Sequence, residues 1–270
     1  MESKHDFPPP RHTDELFSLK GRVALVTGGA GLYGSGISSG LADAGATVIV
    51  ASRTLDKCEA KAEQLRRAGG DALAMSVDLT SEHSIEALCG AIEQKFGRLD
   101  ILFNNAVARS TGGDFATVTA EQWADTMEVN STSILLMTRY AAEIMLKQAK
   151  GSIVNIASIY GMVGPQFAIY EGTEMKNPAE YAFSKGGLIQ LTRYLAAFYG
   201  PRGIRVNFIS PGGYFSHQPE PFVESYCART PLGRMAGEED IKGVSVFLAS
   251  DASGYITGAN IPLEGGWTVV

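Results

Sequence analysis

Seven short apolar runs, rich in β-branched residues, recur along the chain: 22–27, 47–52, 72–77, 99–106, 151–158, 204–212 and 260–266. Each is too short for a helix and too continuously apolar for a strand with one wet face. The pattern predicts strands of a parallel sheet buried on both sides. The intervening segments 35–44, 55–68, 81–96, 120–149, 179–199 and 238–249 carry helical spacing. Thr80-Ser81 before Glu82, and Thr119 before Glu121-Gln122, are helix-start signals. Strand and helix alternate with no Pro/Gly-rich linker and no repeat. The fold expectation is therefore α/β: a doubly wound parallel sheet in a single domain over residues 17–270. A polar, Pro-rich stretch over residues 1–16 reads as a flexible N-terminal arm.

Composition narrows the functional classes. Hydrophobic residues make up 45% of the 270 and charged residues 19%, so a sizeable core can form. Lys plus Arg number 23 against 29 Asp plus Glu, a net charge of −6, and no basic block exceeds short pairs such as Arg66-Arg67. A nucleic-acid surface is not expected. Cys58, Cys89 and Cys227 are scattered and form no Cys-x-x-Cys pair, and the histidines lack ligand spacing, so neither a disulfide framework nor a metal site is expected. The N-terminus lacks the apolar stretch of a signal peptide, and no later run reaches membrane-spanning length. The expectation is a cytoplasmic protein with a small-molecule substrate.

Three local patterns carry chemistry. Residues 27–34, TGGAGLYG, follow the first strand and open a helix; Gly29, Gly31 and Gly34 fit G-x-G-x-x-G. Glycines here let the backbone approach a pyrophosphate at a helix N-terminus, where free N–H groups and the helix dipole favour anions. The second strand ends on Ser52-Arg53, where a dinucleotide fold that reads an unphosphorylated ribose usually carries Asp or Glu. Arg53 would attract a 2′-phosphate and Ser52 could hydrogen-bond it, which favours NADP over NAD. The alternative is a solvated Arg53 stacked near the adenine. Finally, Tyr181 and Lys185 stand four positions apart in a predicted helix, one turn from each other.

Taken with Asn104-Asn105-Ala106, Val129-Asn130, Ser158 and Pro211-Gly212, these motifs resemble the short-chain dehydrogenase/reductase family, in the family's order and over residues ~17–270. The resemblance implies a Rossmann-type fold and hydride transfer between a nicotinamide cofactor and a secondary alcohol or ketone. It implies Tyr181 as acid and base, with Lys185 lowering a phenol pKa that is ordinarily ~10 and holding the nicotinamide ribose. It gives Ser158 the substrate oxygen and Asn130 a water that passes protons toward Lys185. By the same carry-over the cofactor would be held by Gly28, Gly31, Leu32, Tyr33 and Gly34 at the phosphates and by Ser52 and Arg53 at the ribose. Asp78 and Leu79 would lie at the adenine, Asn105 and Ala106 beneath the adenine ribose, and Pro211, Gly212, Tyr214 and Ser216 near the carboxamide. Residues 213–230 read as a lid, or as a surface loop. A homotetramer is implied, with segments 120–149 and 179–199 at an interface.

The sequence departs from the family pattern in two places. Matched from Thr27, the usual T-G-x-x-x-G-x-G puts its middle glycine on Leu32, with Gly31 one place earlier. Leu32 must then turn its side chain away, or Gly31 must make the close approach. The path from Ser158 to Tyr181 is also longer than usual, with an insert over residues 165–178 that brings Tyr170, Glu171, Glu174 and Lys176. It is expected to form part of the substrate wall, with Tyr170, Glu171 and Glu174 as substrate contacts; the alternative is a surface or subunit-contact loop. The C-terminal LEGGWTVV resembles family members acting on sugar acids, such as gluconate 5-dehydrogenases, so a sugar, sugar acid or polyol is expected. A 3-oxoacyl thioester reductase and a nucleotide-sensing regulator on the same fold are the alternatives.

Overall fold

In the computed structural model, which describes residues 9–108 and 114–270, the apolar runs become β1 (Val23–Thr27), β2 (Thr47–Ser52), β3 (Asp71–Ser76), β4 (Ile101–Asn104), β5 (Gly151–Ile156), β6 (Ile204–Pro211) and β7 (Asn260–Leu263). They form one seven-stranded sheet in the order β3-β2-β1-β4-β5-β6-β7, every pair parallel. The first eight residues of the expected arm lie outside the described residues. Its remaining part contains a short helix, α1 (Thr13–Phe17), beside which Arg11 donates to Asp251 at 3.0 Å.

Alternating strand residues serve two separate apolar layers, which is why the runs had to be apolar throughout. Leu25, Ile49, Leu102, Ile153 and Val206 face α4 (Glu82–Phe96), α6 (Ser133–Lys147) and α7 (Ala179–Tyr199). Their neighbours Ala24, Val26, Val48, Val50, Phe103 and Val154 face α2 (Leu32–Asp43), α3 (Leu55–Arg67) and α9 (Glu238–Ala249). Each fully buried Leu, Ile or Phe of these layers contributes about 1.5–3 kcal/mol relative to exposure.

Two predicted elements differ in the structure. The segment 120–149 is not one helix: α5 (Ala120–Met127) passes through a π turn at Glu128–Thr132 before α6 resumes. The segment 213–230 is largely a helix, α8 (Glu220–Arg229), which starts behind Pro219 and carries Pro221 in its first turn. Proline is tolerated there because a first-turn N–H has no carbonyl to meet.

β1 has β2 on one side and β4 on the other, so the chain winds away from β1 in both directions. Loops leaving the carboxyl ends of neighbouring strands diverge at such a switch point and leave a crevice between them.

Candidate active site

A cleft of about 680 Å³ opens at that switch point. One end is walled by the turn after β1 and by the ends of β2 and β3. The other is walled by Ser158, the insert, α7 and the segment from Pro211 to Tyr226.

The first end is built for close approach. Gly28 has φ +64°, and a Cβ there would lie 3.0 Å from the Ala106 Cα. A Cβ on Gly34 would stand 2.1 Å from the Gly28 carbonyl oxygen and 2.7 Å from the Asn105 amide nitrogen, so this glycine lets α2 sit directly on the turn. Asn105 reinforces the junction by donating to the Thr27 and Gly28 carbonyls, both at 3.0 Å. Gly31 is the N-cap of α2, whose first-turn N–H groups lack intrahelical partners, and Gly31, Leu32 and Tyr33 line the cleft. Leu32 is 48% exposed and lines the cleft, while the Gly31 N–H donates to the Gly28 carbonyl at 2.9 Å and so sits directly on the turn. The Tyr33 hydroxyl donates to the Gly212 carbonyl at 3.1 Å, tying this turn to the end of β6; burial raises the pKa of its phenol.

Ser52, Arg53, Asp78 and Leu79 line the same end. The Ser52 hydroxyl accepts from the Thr54 N–H at 3.2 Å and so fixes the loop that carries Arg53. Bonds from the Thr80 backbone and hydroxyl hold the Asp78 carboxyl below its usual value, and the Arg53 charge adds to them.

At the other end Ser158, Tyr181 and Lys185 share the lining. Ser158 lies just past β5 and is 5% exposed, its hydroxyl accepting the Tyr160 N–H at 3.2 Å. Pro178 caps α7 at its start, which puts Tyr181 and Lys185 in the opening turns on one face. Lys185 is buried; its ammonium donates to the Ile156 carbonyl at 2.6 Å and stands 5.6 Å from the centre of the Tyr181 ring. The cation is thereby fixed between strand and phenol. Asn105, Ala106, Pro211, Gly212, Tyr214 and Ser216 also line the cleft.

Asn130 does not line it. It is buried in the π turn, where its Oδ1 accepts the Ala108 N–H at 2.8 Å and its Nδ2 donates to the Ala108 carbonyl at 2.9 Å. Both ends of its amide brace the loop just after β4, which leaves the Asn130 backbone, not its side chain, to meet a water. π turns are frequent at functional sites because the extra residue redirects one carbonyl and one side chain.

The insert reaches the cleft, but with only one of the three residues expected, Tyr170. Tyr170, Met175, Lys176 and Asn177 line it, whereas Glu171 and Glu174 are exposed and outside the lining. The reason is the 3-10 turn Phe167–Tyr170. It buries Ile169 against the aromatic cluster, points Tyr170 the same way, and leaves the next residue on the solvent side. Sequence reasoning did not find Tyr160, Asn177, Phe222, Tyr226 or Met235 as wall residues. The only local signal was the nearness of Tyr160 to Ser158 and of Asn177 to Tyr181. Among the described residues no group of side chains could hold a metal ion, and no helix is long and apolar enough to cross a membrane.

Comparison with known proteins agrees with this geometry. A family model described as enoyl-(acyl carrier protein) reductase matches residues 31–268. A 2,5-dichloro-2,5-cyclohexadiene-1,4-diol dehydrogenase of Sphingobium indicum is 32% identical, over 93% of this chain and 98% of its own. The 5-keto-D-gluconate 5-reductase of Escherichia coli is 30% identical, over 95% of this chain and 99% of its own. A crystal structure of a gluconate 5-dehydrogenase from Burkholderia cenocepacia in complex with NADP and tartrate superposes with a TM-score of 0.85 at 28% identity, covering 96% of this chain and 100% of that one. The turn after β1, the Tyr181–Lys185 pair and a matching family model over most of the chain lead to one conclusion: the protein belongs to the short-chain dehydrogenase/reductase family.

Proposed function

We propose that the protein is an NADP(H)-dependent oxidoreductase that interconverts a secondary alcohol and its ketone, with a sugar, sugar acid or polyol as substrate. The observation that carries the reading is the placing of Ser158, Tyr181 and Lys185 at one end of a cleft whose other end is a glycine-lined helix N-terminus. The residues present fit a nicotinamide dinucleotide. Gly28 and Gly34 leave the backbone bare where a Cβ would collide, and the first turn of α2 offers N–H groups to a pyrophosphate. Ser52 and Arg53 would hold a 2′-phosphate, and Asp78 and Leu79 the adenine. Tyr181 and Lys185 lie where the nicotinamide ribose would be held, with Tyr214 and Ser216 toward the carboxamide.

When bound, the nicotinamide supplies the hydride acceptor or donor. The chain handles the proton. In oxidation the Tyr181 Oη takes the hydroxyl proton of the substrate; in reduction it returns one to the carbonyl oxygen. Lys185, held against the Ile156 carbonyl, keeps a positive charge beside that phenol ring. The Ser158 hydroxyl hydrogen-bonds the same substrate oxygen and stabilises the charge that develops on it. Asn130 acts through position: by clamping Ala108 it holds residues 105–108, just after β4, against the cleft.

The relatives act, by their names, on a cyclic diol and on a keto sugar acid, which supports a hydroxylated substrate. Residues 17–270 would form the catalytic domain, with 1–16 an arm and 213–230, including α8, a lid over the substrate end. The same reading includes a homotetramer, supported by exposed apolar side chains on α6 and α7 (Leu135, Phe183, Tyr194 and Phe198), and a cytoplasmic location, supported by three free thiols. Turnover of a panel of polyols, sugars and sugar acids with NADP and NAD, followed by nicotinamide absorbance, tests the reaction. Failure of every secondary alcohol and ketone with either cofactor would refute it. Light scattering on the eluted protein tests the tetramer.

A further inference from the structure

The insert over residues 165–178 returns to the cleft carrying a polar group that the protein itself does not satisfy. The Tyr170 ring packs on Phe222 with centroids 5.4 Å apart. Its hydroxyl lies 3.0 Å from the Tyr160 hydroxyl and accepts from the Asn177 Nδ2 at 3.1 Å. All three side chains line the cleft. Tyr160 comes two residues after Ser158 and Asn177 four before Tyr181, so the chain ties this one cluster to both members of the proposed reacting centre.

Asn177 is only 8% exposed, and its Oδ1 has no hydrogen-bond partner in the protein. Turning the amide over does not cure this. One end would still meet the Tyr170 hydroxyl, and the other would be left without a partner. A buried amide end in that state is costly, and native proteins rarely keep one without a use. Burial, first, and the neighbouring Tyr170 push the Tyr160 phenol well above its ordinary pKa, so it stays neutral.

A hydroxyl group both donates and accepts, so it satisfies either end of an amide. We propose that Asn177, held in place by Tyr170 and Tyr160, is a specificity-determining residue that hydrogen-bonds a second hydroxyl of the substrate, so that the enzyme prefers diols and polyols to mono-alcohols of the same carbon frame. This rests on the reaction proposed above and names what selects its substrate. A mono-alcohol fills the same space but leaves the amide end unmet, and a site of this kind discriminates against the analogue that lacks the group.

The test compares kcat/KM for matched pairs with NADP: cyclohexanol against its vicinal diol, and secondary butanol against its vicinal diol. The wild-type protein is expected to favour the diols by about tenfold or more. Asn177→Leu keeps the volume and removes the amide; the diol-to-mono-alcohol ratio is expected to fall roughly 5–10-fold. Tyr170→Phe keeps the ring and removes the hydroxyl that holds the amide, and should lower the ratio about threefold. Cofactor dissociation constants, read by fluorescence, report that each variant is folded, and the Tyr170 variant carries the test alone if Asn177→Leu does not fold. A ratio unchanged in the folded variants, or a wild-type protein that treats both members of each pair alike, overturns the assignment of Asn177 while leaving the proposed reaction standing. If the wild type turns over neither member of any pair, nor any other secondary alcohol, the reaction itself is refuted and this inference with it.

Discussion

Adding one methyl group at Gly34 or at Gly31 should have opposite consequences, although both glycines belong to the same short turn. A Cβ on Gly34 would lie 2.1 Å from the Gly28 carbonyl oxygen, far inside any ordinary carbon–oxygen contact. The obstacle is backbone, and Asn105 holds that backbone with two hydrogen bonds at 3.0 Å, so the helix α2 must move rather than a side chain. Overpacking of this kind costs about 1–3 kcal/mol, and the rigidity of the neighbour places Gly34→Ala at the upper end. For a chain of this size the melting temperature should fall roughly 4–12 °C without any ligand. A Cβ on Gly31 meets only the Gly28 oxygen, at 3.2 Å, and this residue already has an ordinary φ of −82°. Gly31→Ala should melt clearly closer to the wild type than Gly34→Ala, since a 3.2 Å contact asks only a few tenths of an ångström of its neighbour. Its methyl would instead enter the cleft beside the α2 N-terminus, so NADP affinity should fall. Scanning calorimetry on the ligand-free proteins, followed by NADP titration, separates the two effects. If Gly31→Ala destabilises the free protein as much as Gly34→Ala, the reasoning about which glycine serves packing and which serves the ligand is wrong.

Arg53→Ala should weaken NADP about tenfold or more and leave NAD nearly unchanged, because a charge-assisted contact to a 2′-phosphate is lost; equal losses in a binding titration would mean that Arg53 packs on the adenine. Asp251 ties Lys150, Arg11 and Arg22 together at 3.0–3.1 Å, and although burial pushes its carboxyl up, these cations outweigh burial and hold it at about 2, from an ordinary 3.8. Since the folded-state pKa is depressed, its contribution is full above pH ~4 and is lost as the pH falls toward the folded value. Asp251→Asn should therefore cost about 1–2 kcal/mol at neutral pH, after allowance for solvent screening, and progressively less below pH ~4 in denaturation measurements; a cost that does not change with pH would contradict this.

Much of this was legible in the chain because it depends on local spacing. Short, continuous, β-branched apolar runs fit strands of a buried parallel sheet, with only the edge strands β3 and β7 less buried, and the helices at 179–199 and 238–249 have the bounds their spacing predicts. The turn after β1 and the Tyr181–Lys185 pair were legible for the same reason, each being fixed within one or two turns of backbone. The π turn at Asn130 was not, because one extra residue leaves the apolar spacing of 120–149 almost intact and no Gly or Pro marks it. Helix α8 was hidden by Pro219 and Pro221, which read as breakers although the first turn accepts them. The substrate wall was the least legible part. Tyr160, Asn177, Phe222 and Tyr226 meet only through tertiary packing, with Tyr226 stacked on Trp267 at 4.4 Å from the far end of the chain. Glu171 and Glu174 were attractive on charge alone; the 3-10 turn that buries Ile169 leaves Glu171 on the solvent side, and Glu174 is exposed as well.

The central claim is that Tyr181 moves the proton while the rest of the cleft holds the cofactor and orients the alcohol. Phenylalanine at position 181 keeps the ring, which packs 5.6 Å from the Lys185 ammonium, and removes only the hydroxyl. Steady-state kinetics of Tyr181→Phe on any alcohol the wild type oxidises, paired with an NADP titration, is the most direct test. The account predicts a fall in kcat of about 10²–10⁴-fold with the cofactor dissociation constant essentially unchanged. A variant that keeps more than about a tenth of the wild-type kcat would contradict it, because a lost acid–base group cannot be so cheaply replaced.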